Sequence, residues 1–308
     1  MSLIADAAAV TVGVDLGGTG TRVVALDERG AVIGKQVFAT PRTRNDSAIQ
    51  RVLEAVTDVA ADRPLTAVGI GASGPVTAAG IIDNAATLPA FTGIDLCDRV
   101  STHVGRPCVI DNDAATAAIG EYTYGAGQGS RTPLTVTLGT GIGVAVIADA
   151  RVIRAGDGTH PEAGHIAVRD APTRCYCGLP RCWEQAASRT ALEGLVGGDT
   201  TVAAEAARAG DIRAAAAFEH YGQNVASGLA TLLTIYRPDR VIVGGSAAQY
   251  LDLFTTSLTN ALQRPPEYNW GPSLAPAQLG DLAGAIGAAV LARTADHALN
   301  SPRGRTVN

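Results

Sequence analysis

Apolar residues recur along the chain in two rhythms. Thr11–Leu16, Thr21–Leu26 and Ala31–Phe38 are rich in β-branched residues and are separated by the short turns Gly17-Gly18-Thr19-Gly20 and Asp27-Glu28-Arg29-Gly30. That pattern predicts an antiparallel meander of strands. Asp46–Ala61 then carries Ile49, Val52, Leu53, Val56 and Val59 at helical spacing, with Asn45 or Asp46 as N-cap. Leu65–Gly71 and Pro107–Asp111 read as buried strands, the second followed by a helix from Asp113 to about Glu121.

The opening pattern returns downstream. Thr135–Leu138 leads into Gly139-Thr140-Gly141-Ile142-Gly143, then Val144–Ala148, a turn at Asp149-Ala150-Arg151 and a third short strand. This weak internal duplication implies two halves of similar topology. Past residue 183 the spacing turns helical, with Trp183–Val196, Thr201–Arg208 and Ile212–Tyr236. Arg240–Val243 is a strand ending in Gly244-Gly245-Ser246, Leu282–Leu299 is a closing Ala-rich helix, and Ser301–Asn308 is a frayed tail.

A chain of 308 residues with 46% apolar and 17% charged residues has material for two packed domains and little for disorder. The net charge of −5 argues against a nucleic-acid backbone as partner. Of the 24 basic residues only Lys35 is lysine, and it follows no G-x-x-x-x-G turn, which excludes a P-loop kinase and Schiff-base chemistry. No apolar run is long enough to span a membrane, and the opening MSLIADAAAV lacks the basic start of an export signal. The expected compartment is therefore the reducing cytoplasm. There, the cluster Cys175, Cys177 and Cys182 points to metal before disulfide. Cys97 and Cys108 read as core residues, and His103, His220 and His297 as ordinary histidines.

The glycine loops narrow the chemistry. Gly69-x-Gly71-x-x-Gly74 has the spacing of a dinucleotide fingerprint, but Pro75 and a Gly- and Thr-rich stretch follow where a helix is required. Gly139-x-Gly141-x-Gly143 is followed by a strand and fails the same test. Gly71-Ala72-Ser73-Gly74-Pro75 misses the last glycine of a hydrolase elbow. A glycine turn between antiparallel strands acts differently: its N–H groups project from the tip and can surround phosphate without a helix. Two such hairpins, with Asp15 to orient Mg2+ or its waters and Gly244-Gly245 as a third loop, favour a nucleotide over mere tight turns.

These residues resemble the ROK family of sugar kinases and repressors, within the actin-like ATPase superfamily, from Val12 to about Ala292. Asp15-Leu16-Gly17-Gly18-Thr19 is similar to the family's first phosphate loop and Leu138–Gly143 to its second. Ile242-Val243-Gly244-Gly245 resembles the adenosine-side loop, and Gly284–Ala289 the closing helix. Asn84 with Leu88-Pro89, and Asp111-Asn112-Asp113-Ala114, resemble the sugar-side motifs. The most specific segment is Glu162-Ala163-Gly164-His165 followed by Cys175-x-Cys177-Gly178-x-x-x-Cys182-x-Glu184. Two departures stand out. Gly20 replaces a frequent lysine, so phosphate neutralisation rests on backbone, Mg2+ or an arginine. Arg181 replaces the usual glycine before the last cysteine.

The resemblance implies an α/β fold of two ribonuclease-H-like domains with a cleft between them, the first covering 1–114 plus 283–308 and the second 115–282. It implies ATP, Mg2+ and a structural Zn2+ as bound groups, and a homodimer. One imidazole and three thiolates close a tetrahedral zinc shell; His160 lies near enough in sequence to compete, but the resemblance favours His165, with Cys175, Cys177 and Cys182. The other His165 nitrogen then faces the sugar. Nucleotide-binding residues are expected at Asp15, Gly17, Gly18, Thr19, Gly139, Thr140, Gly141, Gly244 and Gly245. Sugar contacts are expected at Gly74, Asn84, Asn112, Glu162, His165 and Glu184.

Asp113 is the expected general base, with a helix cap as its bland alternative. The expected reaction is transfer of the γ-phosphoryl group to a hexose, glucose at its 6-hydroxyl first. Mannose, fructose, allose, N-acetylglucosamine and N-acetylmannosamine stand as alternatives. A DNA-binding regulator is disfavoured, since only about ten residues precede the first strand where a helix-turn-helix would sit. A sugar binder that has lost catalysis is kept open by Gly20 and opposed by Asp15, Asn112, Asp113 and Glu162.

Overall fold

The computed structural model describes residues 8–265, 267 and 271–300, without the side chains of 296–300. The expected tail at Ser301–Asn308, the first seven residues and the His297 side chain lie outside that description. The chain divides into two compact units, one made of Met1–Gln128, Val152–His160 and Asp281–Asn308, the other of Gly129–Arg151 and Pro161–Gly280.

The first unit is built on β1 (Val10–Leu16), β2 (Gly20–Leu26), β3 (Val32–Ala39), β4 (Leu65–Ala72) and β5 (Cys108–Asn112), in the order β3-β2-β1-β4-β5. β1 runs antiparallel to β2 and parallel to β4, and β4 parallel to β5. Alternation assigns the two faces. Val12, Val14 and Leu16 join a cluster with Ile49, Val52 and Val56 of α1 (Asp46–Ala60), and with Leu96 and Val100 of α2 (Leu96–Val104). Gly13 and Gly69 face the other way, toward α9 (Ala283–Asn300). A Cβ on Gly13 would overlap the Ala285 carbonyl, and one on Gly69 the Ala288 carbonyl. The helix backbone therefore lies directly on the strands. The same device joins α9 to α3 (Asp113–Tyr124), because a Cβ on Gly287 would overlap the Thr116 carbonyl.

That packing corrects the expected boundary at 114/115. Such a division cuts α3 after its second residue, yet α3 packs on α9 and buries Ala114, Ala115, Ala117 and Ala118. The first unit therefore runs on to Gln128 and also takes back Val152–His160.

The second unit repeats the plan. β6 (Pro133–Leu138), β7 (Ile142–Ala148), β8 (Arg151–Val152), β9 (Arg240–Gly244) and β10 (Ser273–Pro276) lie in the order β10-β9-β6-β7-β8. Reading β6 as β1, this is the same sequence of neighbours, again antiparallel to the next strand and parallel to the fourth. The expected duplication is thus present as topology. Its helices gather on α7 (Ile212–Tyr236), with α6 (Thr200–Arg208) and α8 (Leu251–Ala261) beside it.

The single helix expected over Trp183–Val196 is two, α4 (Trp183–Ala187) and α5 (Arg189–Val196). Ser188 caps the second by accepting from Ala191 N–H, while Asn224 and the Tyr221 hydroxyl satisfy the Ala186 and Ala187 carbonyls left at the break. Among the described residues no helix is long and apolar enough to cross a membrane.

The close seat of α9 makes a direct prediction. Gly69→Ala will lower stability by about 1–3 kcal/mol, the usual cost of overpacking. Gly194→Ala, in α5 where a Cβ meets nothing within 4 Å, will be neutral or mildly stabilising. Urea midpoints of the two variants check this.

Candidate active site

In each unit the expected residues gather at the C-terminal ends of the parallel strands, where open α/β sheets place their ligands. In the first, register sets Asp15 beside Gly71 and Gly71 beside Asp111. The β1–β2 turn is closed by Gly17 N–H on the Gly20 carbonyl at 3.2 Å. Its other carbonyls are pulled backwards: the Thr40 hydroxyl donates to Gly17 at 2.5 Å, Thr40 N–H to Thr19 at 3.3 Å and Arg42 to Gly18 at 3.4 Å. Among the described residues the N–H groups of Gly18 and Thr19 have no acceptor. A hairpin tip with anchored carbonyls and uncommitted N–H groups suits an anion.

Behind this tip stand two carboxylates. Burial, the Asp113 charge and Asp281 push Asp15 up to about 7, against the lowering pull of Arg22. Gly284 of α9 leaves room for it; a Cβ there would come within 2.9 Å of its carboxyl carbon. Asp113 is raised to about 6, chiefly by burial, with hydrogen bonds from Ala114 N–H and the Ser73 hydroxyl opposing the rise.

The cap at this helix start belongs to Asn112. Its Oδ1 accepts from Ala114 N–H at 2.8 Å and Ala115 N–H at 3.3 Å, and its Nδ2 donates to the Gly74 carbonyl at 3.1 Å. Asn112 therefore keeps at most one N–H for a sugar, while Asp113, not the N-cap residue, shares the Ala114 N–H through one oxygen at 2.8 Å. Asn84 is similarly engaged, donating to the Ser73 carbonyl at 2.9 Å and accepting from Thr87 N–H at 3.1 Å. Gly74, at φ +84°, lies against that Asn84 amide, so its place here is as much conformational as ligand-facing. Asp111 forms a two-pronged ion pair with Arg154, one prong at 2.7 Å.

The second unit mirrors the hairpin. Gly139 N–H closes on the Gly141 carbonyl at 2.9 Å, Arg189 N–H holds the Gly139 carbonyl at 2.8 Å, and the N–H groups of Thr140 and Gly141 have no acceptor among the described residues. Register brings Gly244 beside Thr137, so the Gly244-Gly245 loop adjoins this turn. Gly245 sits at φ +80°, where a Cβ would come within 2.6 Å of the Leu138 backbone. Glu184 is buried and accepts from Ile142 N–H at 3.2 Å. Glu162 stands exposed just before the 3-10 turn Ala163–His165.

His165, Cys175, Cys177 and Cys182 place one ligand atom each within 4.8 Å of one another. His165 Nδ1 is 3.3 Å from Cys182 Sγ and 3.6 Å from Cys175 Sγ. A tetrahedral zinc ion with Zn–S and Zn–N near 2.3 and 2.1 Å requires edges of about 3.6–3.8 Å. The four groups fit such an ion with little movement. The other ring nitrogen, Nε2, looks away from the thiols, 3.9 Å from Glu184 and 3.2 Å from the Tyr176 hydroxyl. His160 is not part of this cluster.

Sequence reasoning missed Ser73, Arg22, Arg154 and Tyr176. Ser73 and Arg154 have no local signature; each is recruited by a partner far along the chain. Arg22 was legible in principle, since alternate residues of a strand share a face and it follows Gly20 by two.

Comparison with known proteins adds an independent line. The family model described as the ROK family matches residues 11–295. Glucokinase of Streptomyces coelicolor is 32% identical, over 93% of this chain and 98% of that protein. The crystal structure of a ROK family glucokinase from Streptomyces griseus with glucose and AMPPNP superposes with TM-score 0.78 at 35% identity, covering 92% of this chain and 99% of that one. A ROK hexokinase structure from Thermus thermophilus gives TM-score 0.78 at 30% identity, over 93% of this chain and 98% of that one.

The raised Asp113 carboxyl has a thermodynamic consequence. Between its unfolded value of 3.8 and about 6 the folded state holds the extra proton, so stability falls as pH rises through that window. Asp113→Asn escapes this loss while retaining an oxygen for Ala114 N–H. Its urea midpoint relative to the parent should therefore improve from pH 5 to pH 8; an improvement that shrinks instead contradicts the assigned burial.

Proposed function

The chain belongs to the ROK family, and from that premise we propose that it is an ATP-dependent hexose kinase acting first on the 6-hydroxyl of glucose. The observation that carries the reading is Asp113: a carboxylate just past a strand end, held near 6 by burial, next to the N-cap Asn112 and set beside Asp15 and an anion-ready hairpin. A sugar hydroxyl needs a proton acceptor of that basicity when it attacks phosphorus.

ATP with Mg2+ supplies the phosphoryl group and part of its charge neutralisation. The Gly17-Gly18-Thr19 and Gly139-Thr140-Gly141 turns offer N–H donors to phosphate oxygens, and Gly244-Gly245 lies where the adenosine side is expected. Asp15 orients the metal or its waters through its carboxylate. Asp113 accepts the hydroxyl proton at its carboxylate oxygen. Ser73 fixes the Asp113 carboxylate, and Asn112 and Asn84 hold the surrounding loop while presenting what remains of their amides.

In the second unit, Glu184 accepts from Ile142 N–H and would offer its carboxylate to a sugar hydroxyl. Glu162 is a further acceptor. His165, Cys175, Cys177 and Cys182 would hold Zn2+, which would fix the imidazole tautomer and leave Nε2 to meet a sugar hydroxyl. The zinc role is thus structural. We place the enzyme in the cytoplasm as a homodimer, in keeping with the resemblance. Glucose is preferred over N-acetylhexosamines on the strength of the glucokinase relatives.

The test is ADP release with ATP-Mg2+ against a panel of hexoses and N-acetylhexosamines. Turnover greatest with glucose is expected; none with any sugar overturns the reading. Asp113→Asn should lower kcat by at least ~100-fold with hexose still bound. Chelation of zinc should raise the hexose KM, because His165 Nε2 stands 3.9 Å from Glu184 and loses its fixed orientation with the metal.

A further inference from the structure

Gly20 leaves the first hairpin without a cation at the position where the resemblance expects lysine. A cation nevertheless occupies that space. Gly20 and Arg22 share one face of β2, and a Cβ built on Gly20 would meet Arg22 Nη1 at 3.9 Å. The hairpin register sets Arg22 opposite Asp15. Its Nη1 is 3.5 Å from the Asp15 carboxylate and its Nη2 3.8 Å from that of Asp281. These are ion-pair separations, longer than good hydrogen bonds. Among the described residues the guanidinium makes no hydrogen bond, and its side chain is 27% exposed. A planar fork of five donors is therefore held in place by charge alone.

Neighbouring arginines are committed elsewhere: Arg42 to the carbonyls of Gly18 and Ala86, and Arg154 to Asp111. The local charge is also lopsided: Asp15 and Asp281 face this guanidinium, and Asp113 is near enough to raise Asp15. Such a site repels bare phosphate. A divalent cation answers the carboxylates, and the remaining phosphate oxygens then need a donor fork.

We propose that Arg22 is the phosphate-binding cation of the first hairpin, donating to terminal phosphate oxygens of the Mg2+-bound nucleotide and replacing the lysine absent at Gly20. This rests on the kinase reading. It makes Arg22 a substrate-binding residue as well as a counter-ion for Asp15.

Calorimetric titration of ATP, ADP and AMP with Mg2+ into the full chain separates the two roles. Arg22→Met keeps the packed stem and removes the fork. It should weaken ATP and ADP on the order of 10–100-fold, the scale of a charged hydrogen bond, and leave AMP within about twofold. Adding Gly20→Lys to that variant, at a site where a Cβ meets only ordinary contacts, should recover most of the lost ATP affinity. A single variant that binds ATP as tightly as the parent, one that loses all three nucleotides alike, or a double variant no tighter than the single one overturns the proposal. A parent that binds no nucleotide overturns the kinase reading with it, whereas the first three outcomes leave that reading standing.

Discussion

The contact on which the first unit depends is backbone against backbone. α9 lies on β1 and β4 with no side chains between, because Gly13 and Gly69 face the Ala285 and Ala288 carbonyls. Gly287 brings the same helix against Thr116 of α3. Two consequences reach the chemistry. Asp15 is covered by the start of α9 at Gly284, and α3 is fixed where its first residue, Asp113, stands at the end of β5. Burial then raises both carboxyls, and the Asp113 charge raises Asp15 further. A helix held one side chain further out would leave both groups wetter and more acidic.

Duplication explains how one topology serves two tasks. Each unit presents the same hairpin with carbonyls anchored behind and N–H groups open in front. The neighbouring strand ends then diverge. In the first unit they carry Asp15, Ser73, Asn112 and Asp113. In the second, the β6–β7 turn rests on Glu184, which also stands 3.9 Å from the outward nitrogen of His165. The metal-ligand cluster is thereby tied to Glu184 by a single imidazole.

Most of this was legible in the sequence where a pattern is local. The two meanders and their glycine turns, the long helix Ile212–Tyr236 and the Cys/His cluster were read in place. α2 and α8 were not, because each buries only an i, i+4 pair, Leu96 with Val100 and Phe254 with Leu258, too little to set a period. The short edge strand Ser273–Pro276 ends on proline and is poor in β-branched residues. The capping of α3 by Asn112 in place of Asp113, and the loop-holding role of Asn84, depend on hydrogen bonds to Gly74 and Ser73 that no spacing rule encodes. The same is true of Arg154. Its partner Asp111 is 43 residues away, and the segment that carries it returns to the first unit only in three dimensions.

The central claim is that burial tunes Asp113 to accept a proton from the sugar, and the pH dependence of kcat/KM for glucose tests it most directly. The Asp113 charge also raises Asp15, so both carboxyls contribute to the acid limb. The account predicts a rate that falls on acidification with an acid limb between about 6 and 7 and levels off about one pH unit above that limb. A rate that stays level down to pH 5 would contradict it, because a carboxyl protonated at that pH cannot serve as the base.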